Sequence, residues 1–154
     1  MLKFYKTEAN SIVELQDIES GCWISAEAPT EAEISRLENE LSIDRDFIRS
    51  ALDEEERSRI ETEEHQTLII FDYPIAQKSD DKEETITYST MPMGIILTDT
   101  NVVTVSLKHN SIIEDFANGV VKGVKTQFKT QFIFNILLKT AGKYLLYLKQ
   151  IEKI

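Results

Sequence analysis

Residues 67–107 constrain the fold more than any other part of the chain. Thr67-Leu68-Ile69-Ile70-Phe71-Asp72-Tyr73 is an apolar, β-branched run of strand length, and Thr85–Tyr88, Gly94–Thr98 and Val102–Leu107 continue that character. Such side chains pack well on a pleated surface, and a run with little polar alternation suits a central strand. Asp99-Thr100-Asn101 supplies turn residues between the last two runs. Arg57 to Glu64 alternates weakly and leads through His65-Gln66 into the first run, which predicts an antiparallel hairpin. Pro74 either ends its strand or sits where no N–H is needed, and Gln77–Glu84 reads as a charged surface loop. The middle of the chain is therefore predicted to be sheet.

Helices are predicted before and after it. In Pro29-Thr30-Glu31-Ala32-Glu33 the Thr30 hydroxyl can accept from the Glu33 N–H while the Glu33 carboxylate accepts from the Thr30 N–H. Ile34, Leu37 and Leu41 share one face of the helix that follows. Asp44 caps a second one, with Phe47, Ile48, Ala51 and Leu52 on its apolar side. Short strands are predicted at Leu2–Thr7 and Gly21–Ser25. Ser111-Ile112-Ile113-Glu114 repeats the capping pattern ahead of a short helix that Gly119 or Gly123 ends.

From Thr126 the spacing is helical again, through Phe128, Phe132, Leu138, Leu145 and Leu148 to Ile151 and Ile154, with no stop signal. The chain is expected to break off inside that helix. Phe132, Phe134, Ile136, Leu138, Leu145 and Tyr147 cover more than one helix face, so one face is expected against the sheet and another against a second helix, from further chain or another subunit. The expected fold is mixed α/β. A mostly antiparallel central sheet, flanked by short helices, occupies residues 1–123, and a long helix over 124–154 leads into a missing stalk.

The 154 residues suffice for one domain with a core that needs no disulfide or metal staple. Residues 1–100 hold 24 acids and nine bases, whereas residues 101–154 hold three acids and eight bases. A net charge of −10 argues against nucleic acid as a partner, because binding it requires Lys and Arg to displace counterions from phosphates. Cys22 is the only cysteine, so the chain can form neither an internal disulfide nor a Cys-based zinc site, and a reducing compartment is expected. The first twenty residues hold no apolar run of signal-peptide length. Phe128–Leu148 is interrupted by Lys129, Asn135, Lys139 and Lys143, whereas a membrane span needs ~20 predominantly apolar residues.

No residue pattern points to catalysis. His65 and His109 lie far apart without metal-ligand spacing and are expected to be surface histidines, and Cys22 beside Trp23 reads as a buried, inert thiol. Nucleophile-elbow, Walker-type and dinucleotide-binding glycine motifs are absent from the sequence. Acidic runs remain: Asp53-Glu54-Glu55-Glu56, then Glu61, Glu63 and Glu64, then Asp80-Asp81 and Glu83-Glu84. Solvated surface is one reading of them. A weak Mg2+ site is the other, since Mg2+ keeps several waters and needs only one or two carboxylates.

Trp23-Ile24, Pro29-Thr30, Phe47-Ile48-Arg49-Ser50-Ala51-Leu52, Arg57-Ser58-Arg59-Ile60-Glu61 and Leu68-Ile69-Ile70-Phe71-Asp72-Tyr73-Pro74 together resemble the N-terminal cytosolic domain of CorA-type magnesium transporters. Val102-Val103-Thr104-Val105-Ser106 and the helix from Thr126, as the entry to a stalk, fit as well. The resemblance implies a cytosolic α/β funnel element of a homo-oligomer, a pentamer in the full-length protein. Two C-terminal transmembrane helices would carry a Gly-Met-Asn signature, which this sequence lacks. It also implies regulatory divalent cations held between subunits by carboxylates near the end of the second helix and on the stalk. Where some members have an acidic pair in that helix, this sequence has Arg49-Ser50, and Asp53 and Glu54 lie one turn on.

The function expected on this basis is that of the cytosolic regulatory domain of a divalent-cation transporter at the cell membrane, not an enzyme. The cargo would be Mg2+, with Co2+, Ni2+ and Zn2+ as alternatives, and Asp53 and Glu54 would form the regulatory metal site. The competing reading is a soluble oligomeric α/β interaction module with no transport role.

Overall fold

The computed structural model describes residues 1–80, 82 and 85–153. Asp81, Glu83, Glu84 and Ile154, which belong to the acidic loop and the helical end read from the sequence, lie outside the described residues. Seven strands form one sheet, β1 (Leu2–Glu8), β2 (Ser11–Leu15), β3 (Trp23–Glu27), β4 (Arg59–Glu63), β5 (Gln66–Lys78), β6 (Ile86–Leu97) and β7 (Val102–Ser106). Their spatial order is β2-β1-β3-β7-β6-β5-β4, and every pairing is antiparallel except β3 with β7. Four helices complete the described fold: α1 (Glu31–Leu41), α2 (Arg45–Ala51), α3 (Ser111–Ala117) and α4 (Lys129–Glu152).

Helices cover both faces of the sheet. Ile24, Ala26, Leu68, Ile70, Ile96, Val103 and Val105 pack with Ile34, Leu37, Phe47, Ile48 and Ala51 of α1 and α2. The alternate residues Trp23, Tyr73, Met93, Ile95 and Val102 pack with Ile112 and Phe116 of α3 and Phe132, Ile133 and Ile136 of α4. Strands β3 and β7 are therefore buried on both sides, which accounts for their continuous apolar sequence. The mixed α/β fold with a mostly antiparallel sheet and a long last helix is as the sequence predicts.

Local chemistry places α1 and α2 where expected. Thr30 and Glu33 form the reciprocal capping box, with bonds of 3.1 and 3.0 Å, and the Asp44 side chain accepts from the Asp46 N–H at 2.9 Å. Partial burial works against ionisation of Glu33, but the N–H groups of Thr30 and Leu2 and the terminal ammonium together hold its carboxyl below the usual range.

Several boundaries differ from expectation. β2 is a strand the sequence reading does not include, joined to β1 by Ala9 and Asn10 at φ 48° and 67°. The second predicted strand starts two residues later, at Trp23, after a turn through Gly21 at φ 82°. Pro74 does not end β5, which runs on to Lys78 with Pro74 opposite Thr90. β4 covers β5 only as far as Ile70, so Pro74 lies on an open edge where a missing N–H is harmless. The loop expected from Gln77 consequently begins at Ser79, and β6 is one strand where two were read. β5 stands second from the edge, whereas β7 holds the centre.

The cap of α3 is Asn110, whose side chain accepts from Ile112 N at 2.9 Å and Ile113 N at 3.3 Å, not Ser111. Asn110→Ala is therefore expected to destabilise the fold by about 1–2 kcal/mol, while Ser111→Ala stays within about 0.5 kcal/mol of the parent in urea unfolding. Equal effects of the two substitutions would contradict this cap assignment. α4 starts at Lys129, not Thr126. Thr126 is instead buried and exchanges bonds with Thr7, each hydroxyl accepting from the other's backbone N–H at 3.1 Å.

Candidate cation site

The carboxylates singled out from the sequence follow α2. Leu52 caps that helix, and the next turn sets Asp53, Glu54 and Glu55 on the surface. Asp53 accepts from the Glu55 N–H through Oδ1 at 2.9 Å, so one of its oxygens supports its own turn. Glu56 pairs with Arg59, whose Nε also meets Glu61 at 3.3 Å. The run Asp53–Glu56 thus splits, with Glu56 neutralised by a strand residue and Asp53 and Glu54 left at an exposed corner. Arg49 points elsewhere and grips the Glu31 carboxylate at 3.0 and 3.3 Å, tying α2 to the start of α1.

A second meeting of carboxylates involves residues the sequence reading does not connect. The Gln66 side chain accepts from Asp44 N at 2.8 Å and donates to Ser42 O at 3.1 Å, which brings the β4–β5 hairpin against the N-terminus of α2. Asp44 then faces Glu63, and hydrogen bonding and repulsion from Asp44, with smaller contributions from Glu61 and Asp46, push the Glu63 carboxyl up. Gln66 pins hairpin to helix beside this meeting, and no local pattern signals it. Among the described residues no three His, Cys, Asp or Glu side chains converge as ligands for one metal ion.

The remaining reactive side chains have structural partners. His65 lies open to solvent with Nδ1 3.4 Å from Asp99, and His109 stands between Glu114 at 2.8 Å and Glu27 at 3.7 Å. Cys22 is fully buried beside the Asn101 amide, and burial pushes its thiol up. No helix of the described residues is long and apolar enough to cross a membrane.

Comparison with known proteins places this arrangement. No curated protein matches the chain. The complete structure of the CorA magnesium transporter from Methanocaldococcus jannaschii superposes with a TM-score of 0.75 at 20% identity, over 99% of this chain and 48% of that one. The soluble domain of CorA from the same organism gives a TM-score of 0.78 at 19% identity, over 99% and 60%. The cytoplasmic domain of ZntB from Vibrio parahaemolyticus gives 0.71 at 17%, over 98% and 62%. The chain thus spans less than two thirds of the length of each, and at these identities the likeness is one of fold. The family model described as CorA-like Mg2+ transporter protein matches residues 19–154, from the turn before β3 through α4. With that match covering most of the sequence, the chain belongs to the CorA-like Mg2+ transporter protein family.

Proposed function

We propose that this chain is the cytosolic regulatory domain of a divalent-cation transport protein of the cell membrane, with Mg2+ as the cargo. The observation that carries the reading is the family match over residues 19–154. In the longer protein, subunits associate in a ring, a pentamer by the resemblance, and the choice among Mg2+, Co2+, Ni2+ and Zn2+ belongs to the pore.

Regulation follows from charge. Residues 1–100 are strongly acidic, so neighbouring copies repel one another. A hydrated divalent ion between carboxylates of adjacent subunits relieves that repulsion, and its loss shifts the population toward an open ring. Asp53 and Glu54, exposed at the corner after α2, are the residues assigned to that contact.

Two measurements test the two levels separately. The whole protein encoded by the gene should restore growth of Mg2+-uptake-deficient cells at low external Mg2+, and failure there would hand the lead to a soluble interaction module. The isolated chain should associate more in tens of millimolar Mg2+ than in chelator at matched ionic strength, by sedimentation velocity. Asp53→Asn with Glu54→Gln should remove most of that difference without changing the thermal unfolding midpoint in chelator. Unaltered Mg2+ dependence in the double variant would refute the residue assignment and leave transport standing.

A further inference from the structure

We propose that His109 and Glu114 bind one divalent transition-metal ion of the Zn2+ or Ni2+ class, with Glu27 holding the imidazole ring from behind. Asn110 caps α3, so His109 is the residue before the cap and Glu114 the fourth of the helix, two positions whose side chains meet across a first helical turn. An apolar pair commonly fills them. Here they carry an imidazole and a carboxylate, with Nε2 of His109 2.8 Å from Oε2 of Glu114. The other ring nitrogen, Nδ1, stands 3.7 Å from Oε2 of Glu27, the last residue of β3. Neither neighbour is accidental. The bonds of Asn110 to the Ile112 and Ile113 N–H groups fix the turn, and the pairing of β3 with β7 sets Glu27 opposite Ser106, three residues before His109.

A carboxylate at each ring nitrogen is a conflict for a neutral imidazole. It has one N–H and can donate to only one of them, so its second nitrogen turns a lone pair toward an anionic oxygen. A cation on that nitrogen, a proton or a metal ion, removes the conflict. Glu27, at ion-pair distance, selects the tautomer with its proton on Nδ1 and leaves Nε2 to coordinate, as in metal-bound histidines whose second nitrogen faces a carboxylate. The distance to Glu114 suits the same ion, since a nitrogen and an oxygen each about 2.0–2.1 Å from a metal, at a right angle, stand about 2.9 Å apart.

Room and charge agree with this assignment. The pair borders a cleft of about 230 Å3, with Lys3 and Asn118 also in its wall. Several waters fit there and complete the shell around an ion with two protein ligands. Glu27 and Glu114 outweigh Lys3, and the amino terminus beside them is matched by Glu33 at 3.1 Å. The imidazole decides the class of ion: it suits Zn2+ and Ni2+, whereas Mg2+ takes oxygen ligands and gives up its waters reluctantly. His65 has no such frame, being 82% exposed with Asp99 3.4 Å from one nitrogen. Asp53 and Glu54 follow α2, which covers the opposite face of the sheet from α3.

Calorimetric titration of the chain with Zn2+ in millimolar Mg2+, which competes for sites built from oxygen alone, should show a saturable site. His109→Gln should abolish it and Glu114→Gln should weaken it more than about tenfold. Glu27→Gln, which removes no ligand, should still weaken it about tenfold by releasing the ring. His65→Gln, and Asp53→Asn with Glu54→Gln, should leave it unaltered. Long-range proton–nitrogen spectra of the bound form should show Zn2+ on Nε2 of His109 and the proton on Nδ1. All the substituted side chains are at least partly exposed, so unchanged melting in chelator will show that the variants fold. Retention of the site in His109→Gln, Zn2+ on Nδ1, or absence of saturable binding in Mg2+ would overturn the proposal. So would spectra in which Zn2+ leaves the His109 ring unmoved, the mark of an ordinary charged pair with its protons in place.

Discussion

Gly94→Ala is expected to lower the unfolding free energy by about 3 kcal/mol, and the melting temperature by roughly 6–12 °C. Gly94 lies in β6 directly beneath α2, where a Cβ would stand closer than 3.0 Å to the Cβ of Ala51 and 3.5 Å from Leu68 Cδ1. Ala51 is fully buried and its methyl is fixed to the helix backbone, so no rotamer change can relieve the overlap. Either α2 lifts from the sheet or β6 bulges. The test is a double-mutant cycle with Ala51→Gly, which empties the space the new methyl needs. The two substitutions should couple by about 2 kcal/mol, the double variant being more stable than the sum of the singles predicts. Strict additivity would mean that α2 does not rest on Gly94.

That contact also marks how far the sequence could be read. The starts of α1 and α2 were legible because Thr30, Glu33, Asp44 and Asp46 meet within one turn of chain. The apolar runs of β7 and of residues 93–96 in β6 were legible because strand segments covered on both faces need apolar residues on both faces. Gly94 reads as an ordinary residue of its strand until α2 is laid over it. β2 was hidden because its turn uses Ala9 and Asn10 with no glycine, and because an edge strand can be half polar. Ser111 reads as the cap because the Ser-x-x-Glu pattern is visible in sequence, whereas the bonds of the Asn110 side chain to the Ile112 and Ile113 N–H groups belong to the folded turn.

The candidate site was legible to a smaller degree. Acidic composition points to cations, but which carboxylates meet depends on distant partners: Gln66 pins the hairpin that carries Glu63 beside Asp44, and Arg59 withdraws Glu56 from the run. The second apolar face of α4 was readable from spacing alone, because a helix presents its sequence to its surroundings at a fixed period.

Trp23→Ala should be the most damaging single substitution, at about 5 kcal/mol, since removing a buried Trp costs about 3–5 kcal/mol and the loss of its N–H adds to that. The side chain is completely buried and joins four elements. Tyr5 of β1 stacks on it at 4.8 Å, Phe132 of α4 meets it edge-on at 5.3 Å, and its Nε1 donates to Thr104 Oγ1 of β7 at 2.9 Å. A domain with ~5–15 kcal/mol in total has little left after such a loss. Trp23→Phe separates the two parts: it keeps a ring for Tyr5 and Phe132 while leaving the Thr104 hydroxyl, 2% exposed, without its donor. It should cost about 2 kcal/mol, and Thr104→Val on that background should return about 1 kcal/mol, because an apolar group needs no donor. Urea unfolding followed by circular dichroism measures all three variants. Since Phe132 is the link to α4, amide exchange along Lys129–Glu152 should accelerate more in Trp23→Ala than exchange along β5 and β6. Uniform acceleration would mean that α4 and the sheet open only together.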